Sequence, residues 1–440
     1  MLQGRNGSIK DTKRVRQKMI FDKEVVEEQA KRYDSFYLYD ERKIVESIRG
    51  LKQHFPSIEF LYSIKCNSNP HVIGSIFTQG LGADAASAGE VRKAVAAGQK
   101  KEKIYYSAAG KSMEDIESTM KSAVLIADSI GEIKRIQLAA KHRNLVIEIG
   151  IRINPNFSFY KNEGIPSKFG IDEEEALAFL KENDFPNVRV TGIHVHLRSQ
   201  ELNVELLTRY YENVLELARR VQKVTAVSLD YVNMGAGMGI PYAVKDRGLN
   251  LKELGQSVGA AVARFREEFP GIRVMIETGR YVVGKAGVYV TKVMDRKVSH
   301  AKTYIILKNT LNGFIRPSLA CLVERYWQGQ QSPEGSEPLF TSTDAFQFLT
   351  LRERRPAERV NLVGNLCTAT DIIAENLLMP RLECGDVVVI TNAGAYAAVL
   401  SPVQFSSQIR PIELFLNEDG SVVGGPLTSR LGESLSGQEP

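Results

Sequence analysis

The chain has 440 residues, 43% of them hydrophobic and 25% charged, which is the composition of a globular protein long enough for two domains. A net charge of +5 is small for that length and gives no support for a nucleic-acid partner; part of it lies in Lys10, Lys13, Arg14, Arg16 and Lys18 near the N-terminus. No apolar run is long enough to span a bilayer, no signal-peptide core is present, and Cys66, Cys321, Cys367 and Cys384 stand far apart without metal-binding spacing, so a cytoplasmic protein with no membrane partner and no metal centre is expected.

Residues 1–35 are expected to form an N-terminal segment that packs on a later domain. From 36 to 287 short apolar runs alternate with helical periodicity. Helices are predicted over Glu41–Phe55, Ala88–Ala97, Ser112–Ser122, Gly131–Arg143, Asp172–Lys181, Val204–Val221 and Leu251–Phe269. Strands are predicted over Ile58–Lys65, Gly82–Ala86, Ile104–Ser107, Val124–Ala127, Val146–Asn154, Val188–Leu197, Val227–Met234 and Arg273–Glu277. Eight strands with helices between most of them imply right-handed βαβ units and a closed (β/α)8 barrel.

After Gly287 the texture changes to short strand signals, Val288–Val293, Thr303–Leu307, Val360–Val363, Asp386–Ile390 and Ile412–Leu416, with little helical periodicity. A separate β-sandwich domain over 288–420 is expected, with a polar surface insertion at about 325–358 and a loose tail over 421–440.

In such a barrel the chemistry sits at the carboxyl ends of the strands. Lys65 ends the first, Asp84 and Ser87 the second, His196 and Ser199 the sixth; Gly235, Gly237 and Gly239 follow the seventh, and Glu277, Gly279 and Arg280 the eighth. A lysine at the end of a buried strand is either ion-paired or a tuned amine nucleophile. Closely spaced glycines let backbone N–H groups approach a phosphate, although a tight turn explains them equally well. A carboxylate three residues before an arginine is a salt bridge or a pair of ligand contacts. His194 and His196 flank Val195, and one of them is expected to face the barrel interior while the other packs against a helix. An amine, a phosphate cradle and a carboxylate for a ring nitrogen together describe pyridoxal 5'-phosphate.

These motifs carry a family resemblance. Tyr62-Ser-Ile-Lys65-Cys-Asn67, Gly82-Ala-Asp84-Ala-Ala-Ser87, His196-Leu-Arg198-Ser199-Gln200, Gly235-Ala-Gly237, Glu277-Thr-Gly279-Arg280, Arg316-Pro317, Cys367-Thr368-Ala-Thr-Asp371 and Gly394-Ala-Tyr396 resemble, in that order, the motifs of the fold-type III pyridoxal-phosphate decarboxylases, such as diaminopimelate and ornithine decarboxylases. The resemblance implies the same barrel and β-domain, in an alanine-racemase-like arrangement, and a homodimer with shared active sites acting on a small amino-acid-like substrate. It implies that Lys65 carries the cofactor, that His196 stacks on its ring and that Glu277 keeps the ring nitrogen protonated. Asp84, Ser199, Gly235, Gly237, Gly279, Arg280 and Tyr396 are then cofactor contacts, and Cys367 reaches the partner's site as a proton donor. A racemase on a similar barrel is the rival, but such enzymes place arginine where Glu277 stands here.

Three departures bear on the substrate. Diaminopimelate decarboxylases carry Cys-Glu-Ser, and ornithine decarboxylases Cys-Asp, at Cys367-Thr368; the acid meets the substrate's distal ammonium. Ala320 replaces a family tyrosine, and Arg198 replaces the glycine of His-x-Gly-Ser. The far end of the substrate is therefore expected to be anionic, acylated or larger, as in siderophore or antibiotic pathways, with Arg198, Arg316 and Thr368 near it. The alternative is authentic diaminopimelate turnover with Asp371 replacing the missing acid.

Overall fold

The computed structural model describes residues 20–182, 185–235, 237–243, 245–326, 342–352 and 354–425. Eight parallel strands, Glu59–Ser63, Gly82–Ala85, Ile104–Tyr106, Val124–Ala127, Ile147–Asn154, Val188–His194, Tyr231–Asn233 and Arg273–Thr278, pair in that order, and the last pairs with the first to close a barrel. Helices on the outside bury an apolar stripe against it. Val204–Val224, for example, is capped by the Asn203 side chain and buries Leu207, Tyr211, Val214 and Leu217. Among the described residues no helix is long and apolar enough to cross a membrane.

The barrel interior is layered, because residues two apart on a strand share a face. One layer is apolar and contains Leu61, Tyr105, Ile126, Tyr231 and Met275. Its fit depends on Gly192 and Gly150: a Cβ at Gly192 would lie 2.1 Å from the Tyr231 ring carbon Cζ, and one at Gly150 2.3 Å from its hydroxyl. Two residues further along the strands the layer becomes wholly polar: Ser63, Asp84, Ser107, Asp128, Arg152, His194, Asn233 and Glu277, every one of them buried. That polar layer is the floor of the candidate site.

The second domain is a nine-stranded mixed sheet. Its long strand Gly287–Ser299 pairs with Ser35–Asp40 and Val387–Ile390 through its first half and with Lys302–Leu307 through its second. Ala357–Gly364 and Ile372–Pro380 extend one limb; Ile412–Leu416 and Val422–Gly424 extend another. Alternation sorts the faces. Phe36, Leu38, Val288, Val290, Val387 and Val389 meet Val26 and Ala30 of the helix Lys23–Ala30, while Tyr37, Tyr39 and Tyr289 join the main core.

Several boundaries differ from expectation. The barrel does not begin at residue 36, because Ser35–Asp40 hydrogen-bonds into the second sheet; the first barrel element is the helix Glu41–His54. The tail is ordered through Val422–Gly424, which pairs with the Ile412–Leu416 strand. Helices at Pro70–Thr78 and Ile315–Tyr326 were not foreseen. Most of the insertion (327–341), the tail beyond 425 and residues 1–19 lie outside the described residues.

Candidate active site

A cavity of about 390 Å³ opens over the polar floor, lined by Lys65, Arg152, His196, Arg198, Ser199, Glu277, Gly279, Arg280 and Tyr396, together with Phe157–Tyr160 and Ile165–Ser167. Lys65 is not on the strand itself: the strand ends at Ser63, and Ile64–Cys66 form one 3-10 turn. The turn is pinned from several sides. Tyr62 Oη donates to Asn67 O at 2.8 Å, Asn67 Nδ2 donates to Gly394 O at 2.9 Å, and Tyr396 N donates to Cys66 O at 2.8 Å. Lys65 Nζ thus enters the cavity, with 39% of its side chain exposed, 3.4 Å from Asp84 Oδ2. Asp84 is fully buried, and its other oxygen accepts from Ser107 Oγ at 2.6 Å. Burial works against the Lys65 charge, but Asp84 and then Glu277 outweigh it and raise the pKa above that of an ordinary amine. The neighbouring Cys66 thiol is pushed up to about 11 by burial, so it is neutral and unreactive there.

Glu277 faces both histidines. His194 Nε2 is 3.0 Å from Oε1 and His196 Nδ1 is 3.3 Å from Oε2. This corrects the expectation that one histidine would pack against a helix: the two-residue period places both on the same face. Asn233 Nδ2 adds a hydrogen bond of 2.9 Å to Oε1. Burial resists the Glu277 charge, yet His194, followed by His196, holds the carboxyl well below the usual carboxylate range. Burial lowers the His196 pKa in spite of Glu277, so that imidazole is neutral near pH 7. The donor atoms of His194, His196 and Glu277 lie within 4.8 Å of one another, a grouping that the spacing of cysteines and histidines in the sequence did not anticipate.

Arg280 also lines the cavity and is buried, and its three guanidinium nitrogens have no hydrogen-bond acceptor among the described residues. Its charge lies over the rings of Tyr396, at 4.9 Å, and Tyr242, at 5.6 Å. Burial opposes that charge, but Tyr242 and Tyr396 keep the guanidinium protonated. Gly279 and Ser199 line the same cavity. Gly235 and Gly237 do not line it. Gly235 has φ +67°, and a Cβ there would lie 2.2 Å from Val195 O, so it is the close approach of two barrel strands that requires glycine.

The remaining expected residues separate. Arg198 lines the cavity, 3.6 Å from Glu201 and over the Tyr160 ring. Arg316 is fully buried beneath Tyr242 and donates to Ala395 O, outside the lining. Asp371 is a correction. It is buried, accepting from Thr310 Oγ1, from Leu311 N at 3.0 Å and from Leu366 N at 3.1 Å, so its carboxylate is engaged within the β-domain and cannot replace a missing substrate acid. Cys367 is exposed, with Sγ 3.6 Å from Ser406 Oγ, and Thr368 bonds to Thr370 Oγ1; neither lines this chain's own cavity. Ser87 caps the helix Ala88–Ala96. The sequence reading missed Asn233, His194's place in the site and Arg152, which donates to His196 O at 3.0 Å and lies 3.6 Å from Asp128. Arg152 sits near the end of the fifth barrel strand, where the rim rule would have found it.

The donor set suits pyridoxal phosphate: an amine on a strand-end turn, a carboxylate on the floor, and a buried guanidinium whose nitrogens lack an acceptor, facing a cavity. Residues 41–284 match the family model described as pyridoxal-dependent decarboxylase, pyridoxal binding domain. The chain is similar to the L-glutamyl-[BtrI acyl-carrier protein] decarboxylase of Niallia circulans, with 32% identity over 405 residues covering 89% of this chain and 90% of the relative. It is 28% identical over 393 residues to the diaminopimelate decarboxylase of Helicobacter pylori, covering 87% and 90%. The solved structure of diaminopimelate decarboxylase from Helicobacter pylori complexed with L-lysine superposes with a TM-score of 0.76 at 26% identity, covering 90% of this chain and 95% of that one. A strand-end lysine, its floor of polar residues and a match across both domains lead to one assignment: the chain belongs to the pyridoxal-dependent decarboxylases.

Proposed function

We propose that this decarboxylase removes the α-carboxylate of an amino acid whose far end carries no free ammonium, being anionic or acylated. The charge of the cavity wall carries the reading. Among the described lining residues Lys65, Arg152, Arg198 and Arg280 face one carboxylate, Glu277. A distal ammonium would find no acid there, at a cost of roughly 1–3 kcal/mol for a buried unpaired group. Thr368 stands where relatives carry an acid, and Asp371 is committed elsewhere. Arg198, at the cavity wall, is the better placed of the two expected arginines to meet a far-end carboxylate or acyl oxygen. Likeness to a protein named for an L-glutamyl group on an acyl-carrier protein supports a glutamyl unit presented in acylated form.

Pyridoxal phosphate bound here supplies an electron sink for the pair left behind when carbon dioxide departs. Lys65 provides the amine that carries it. Arg280, with Ser199, Gly279 and Tyr396, holds the phosphate; Glu277 holds a proton at the ring nitrogen, and His196 packs on the ring. Cys367 is exposed and does not line this chain's own cavity, which favours a homodimer in which Cys367 delivers the proton to the α-carbon in its partner's cavity.

The test is carbon dioxide release from meso-diaminopimelate, ornithine, lysine and arginine set against glutamate and a γ-glutamyl thioester of pantetheine. Turnover confined to the second group is expected; comparable kcat/KM on any diamino acid would sink the proposal.

A further inference from the structure

Glu277 is held before any ligand arrives. Its Oε1 accepts from Asn233 Nδ2 at 2.9 Å and lies 3.0 Å from His194 Nε2. His194 and Asn233 are 1% and 0% exposed, so water does not compete for the carboxylate on that side. They sit directly opposite each other on neighbouring strands; Asn233 is opposite Met275, two residues before Glu277, and its side chain bridges that stagger to reach Oε1. Asn233 also holds the turn that follows it, for its Oδ1 accepts from Gly235 N at 2.9 Å, while Glu277 N donates to Gly235 O at 3.0 Å. Carboxylate, asparagine and glycine turn are thereby tied into one unit.

We propose that His194 and Asn233 are positioning residues that fix Glu277, ionised and in one orientation, as the partner of the cofactor's ring nitrogen; the inference rests on the cofactor reading of the site. Displacing the carboxylate would break both contacts to Oε1; Oε2, which lies 3.3 Å from His196 Nδ1, is the oxygen left to meet a ligand. A carboxylate stripped of both partners at this depth would be a buried unpaired charge and would take up a proton instead. A protonated Glu277 cannot hold a proton on the ring. A preset carboxylate also needs no reorganisation when the reaction develops charge.

The test compares binding of pyridoxal phosphate with that of its analogue in which carbon replaces the ring nitrogen, by equilibrium titration of the cofactor-free protein. A hydrogen bond to a charged group implies that the native protein prefers the natural cofactor by about 10–100-fold. In His194→Leu, and in Asn233→Asp, which keeps the Gly235 contact but sets a like charge beside Glu277, that preference falls below about threefold while analogue affinity stays within about twofold of native. His194→Gln, which retains a nitrogen donor, restores most of the preference. Native preference in either the His194→Leu or the Asn233→Asp variant overturns the proposal, as does an equal loss for both ligands, the mark of a merely structural role. Failure of the native protein to take up pyridoxal phosphate at Lys65, read by borohydride labelling and peptide mapping, would instead overturn the underlying site assignment.

Discussion

Replacing Arg280 with methionine should move stability and cofactor binding in opposite directions. Arg280 is 4% exposed, and its three nitrogens lack a hydrogen-bond acceptor among the described residues, so the cofactor-free protein carries a buried cation stabilised mainly by the Tyr396 and Tyr242 rings. Each ring contributes about 0.5–2 kcal/mol, against a desolvation penalty of several kcal/mol for one buried ion. Methionine has similar volume and no charge, so the unloaded variant should gain about 1–2 kcal/mol, or roughly 1–2 °C in Tm for a chain of this length. Loss of two charge-assisted bonds to a phosphate, about 1.5–3 kcal/mol each, should weaken cofactor binding by at least about 100-fold. Differential scanning fluorimetry reads both effects. At a cofactor concentration about 100 times the native Kd the native protein gains about 2.7 kcal/mol from the ligand, and the variant should gain under about 0.5 kcal/mol. An unloaded variant less stable than the native protein, or an unchanged ligand-induced shift, would refute the claim that Arg280 is kept for an anion rather than for the fold.

Lys111 and Glu132 form a fully buried pair at 2.6 Å, with Lys111 also donating to Ala108 O and Ile126 O at 2.6 Å. Lys111→Met should cost about 3–5 kcal/mol by stranding Glu132, and Lys111→Met with Glu132→Met should recover most of it; equal urea midpoints for the single and double variants would contradict this. Asp371→Ala should cost about 2–5 kcal/mol, because three donors lose their acceptor. A melting shift of under about 1 °C would show that water replaces the carboxylate. The depressed pKa values of Glu277 and His196 make stability that is present above their unfolded values, about 4.5 and 6.5, and lost as pH falls through the folded ones. His196 is present in both proteins, so the difference lies with Glu277: the urea midpoint of the unloaded native protein should drop more steeply than that of Glu277→Gln as pH falls below about 5, where the unfolded glutamate begins to take up its proton. Parallel pH profiles would count against the assignment.

Much of the barrel is legible because its strands are apolar runs between amphipathic segments, and the rim rule then collects Lys65, Asp84, His196, Glu277 and Arg280 before any coordinate is known. What stays hidden depends on partners far away in sequence. Asp371 looks available beside Cys367, and only the fold brings Thr310 and Leu311 to its oxygens. Residue 36 serves as the expected start of the barrel until the neighbours of Ser35–Asp40 prove to be Gly287–Ser299 and Ile412–Leu416. The helix Ile315–Tyr326 was obscured by Pro317, which is tolerated because it lies in the first turn. Asn233 passed as an ordinary polar residue before a glycine turn. The histidine pair was within reach, since the strand period alone sets residues 194 and 196 on one face.

The hydrogen bonds that tie Asn67 to Gly394 and Cys66 to Tyr396 join the lysine turn to the other sheet. The barrel therefore does not own its reactive amine outright; that amine is shared property of two domains. Thermodynamic linkage makes the relation reciprocal. On the proposed cofactor roles of Lys65 and Tyr396, drawing the domains apart would loosen the cofactor, and the bound cofactor would in turn act as a clasp between them. On that reading the barrel alone supplies only part of the grip, and the pair of domains together is the unit expected to hold the cofactor.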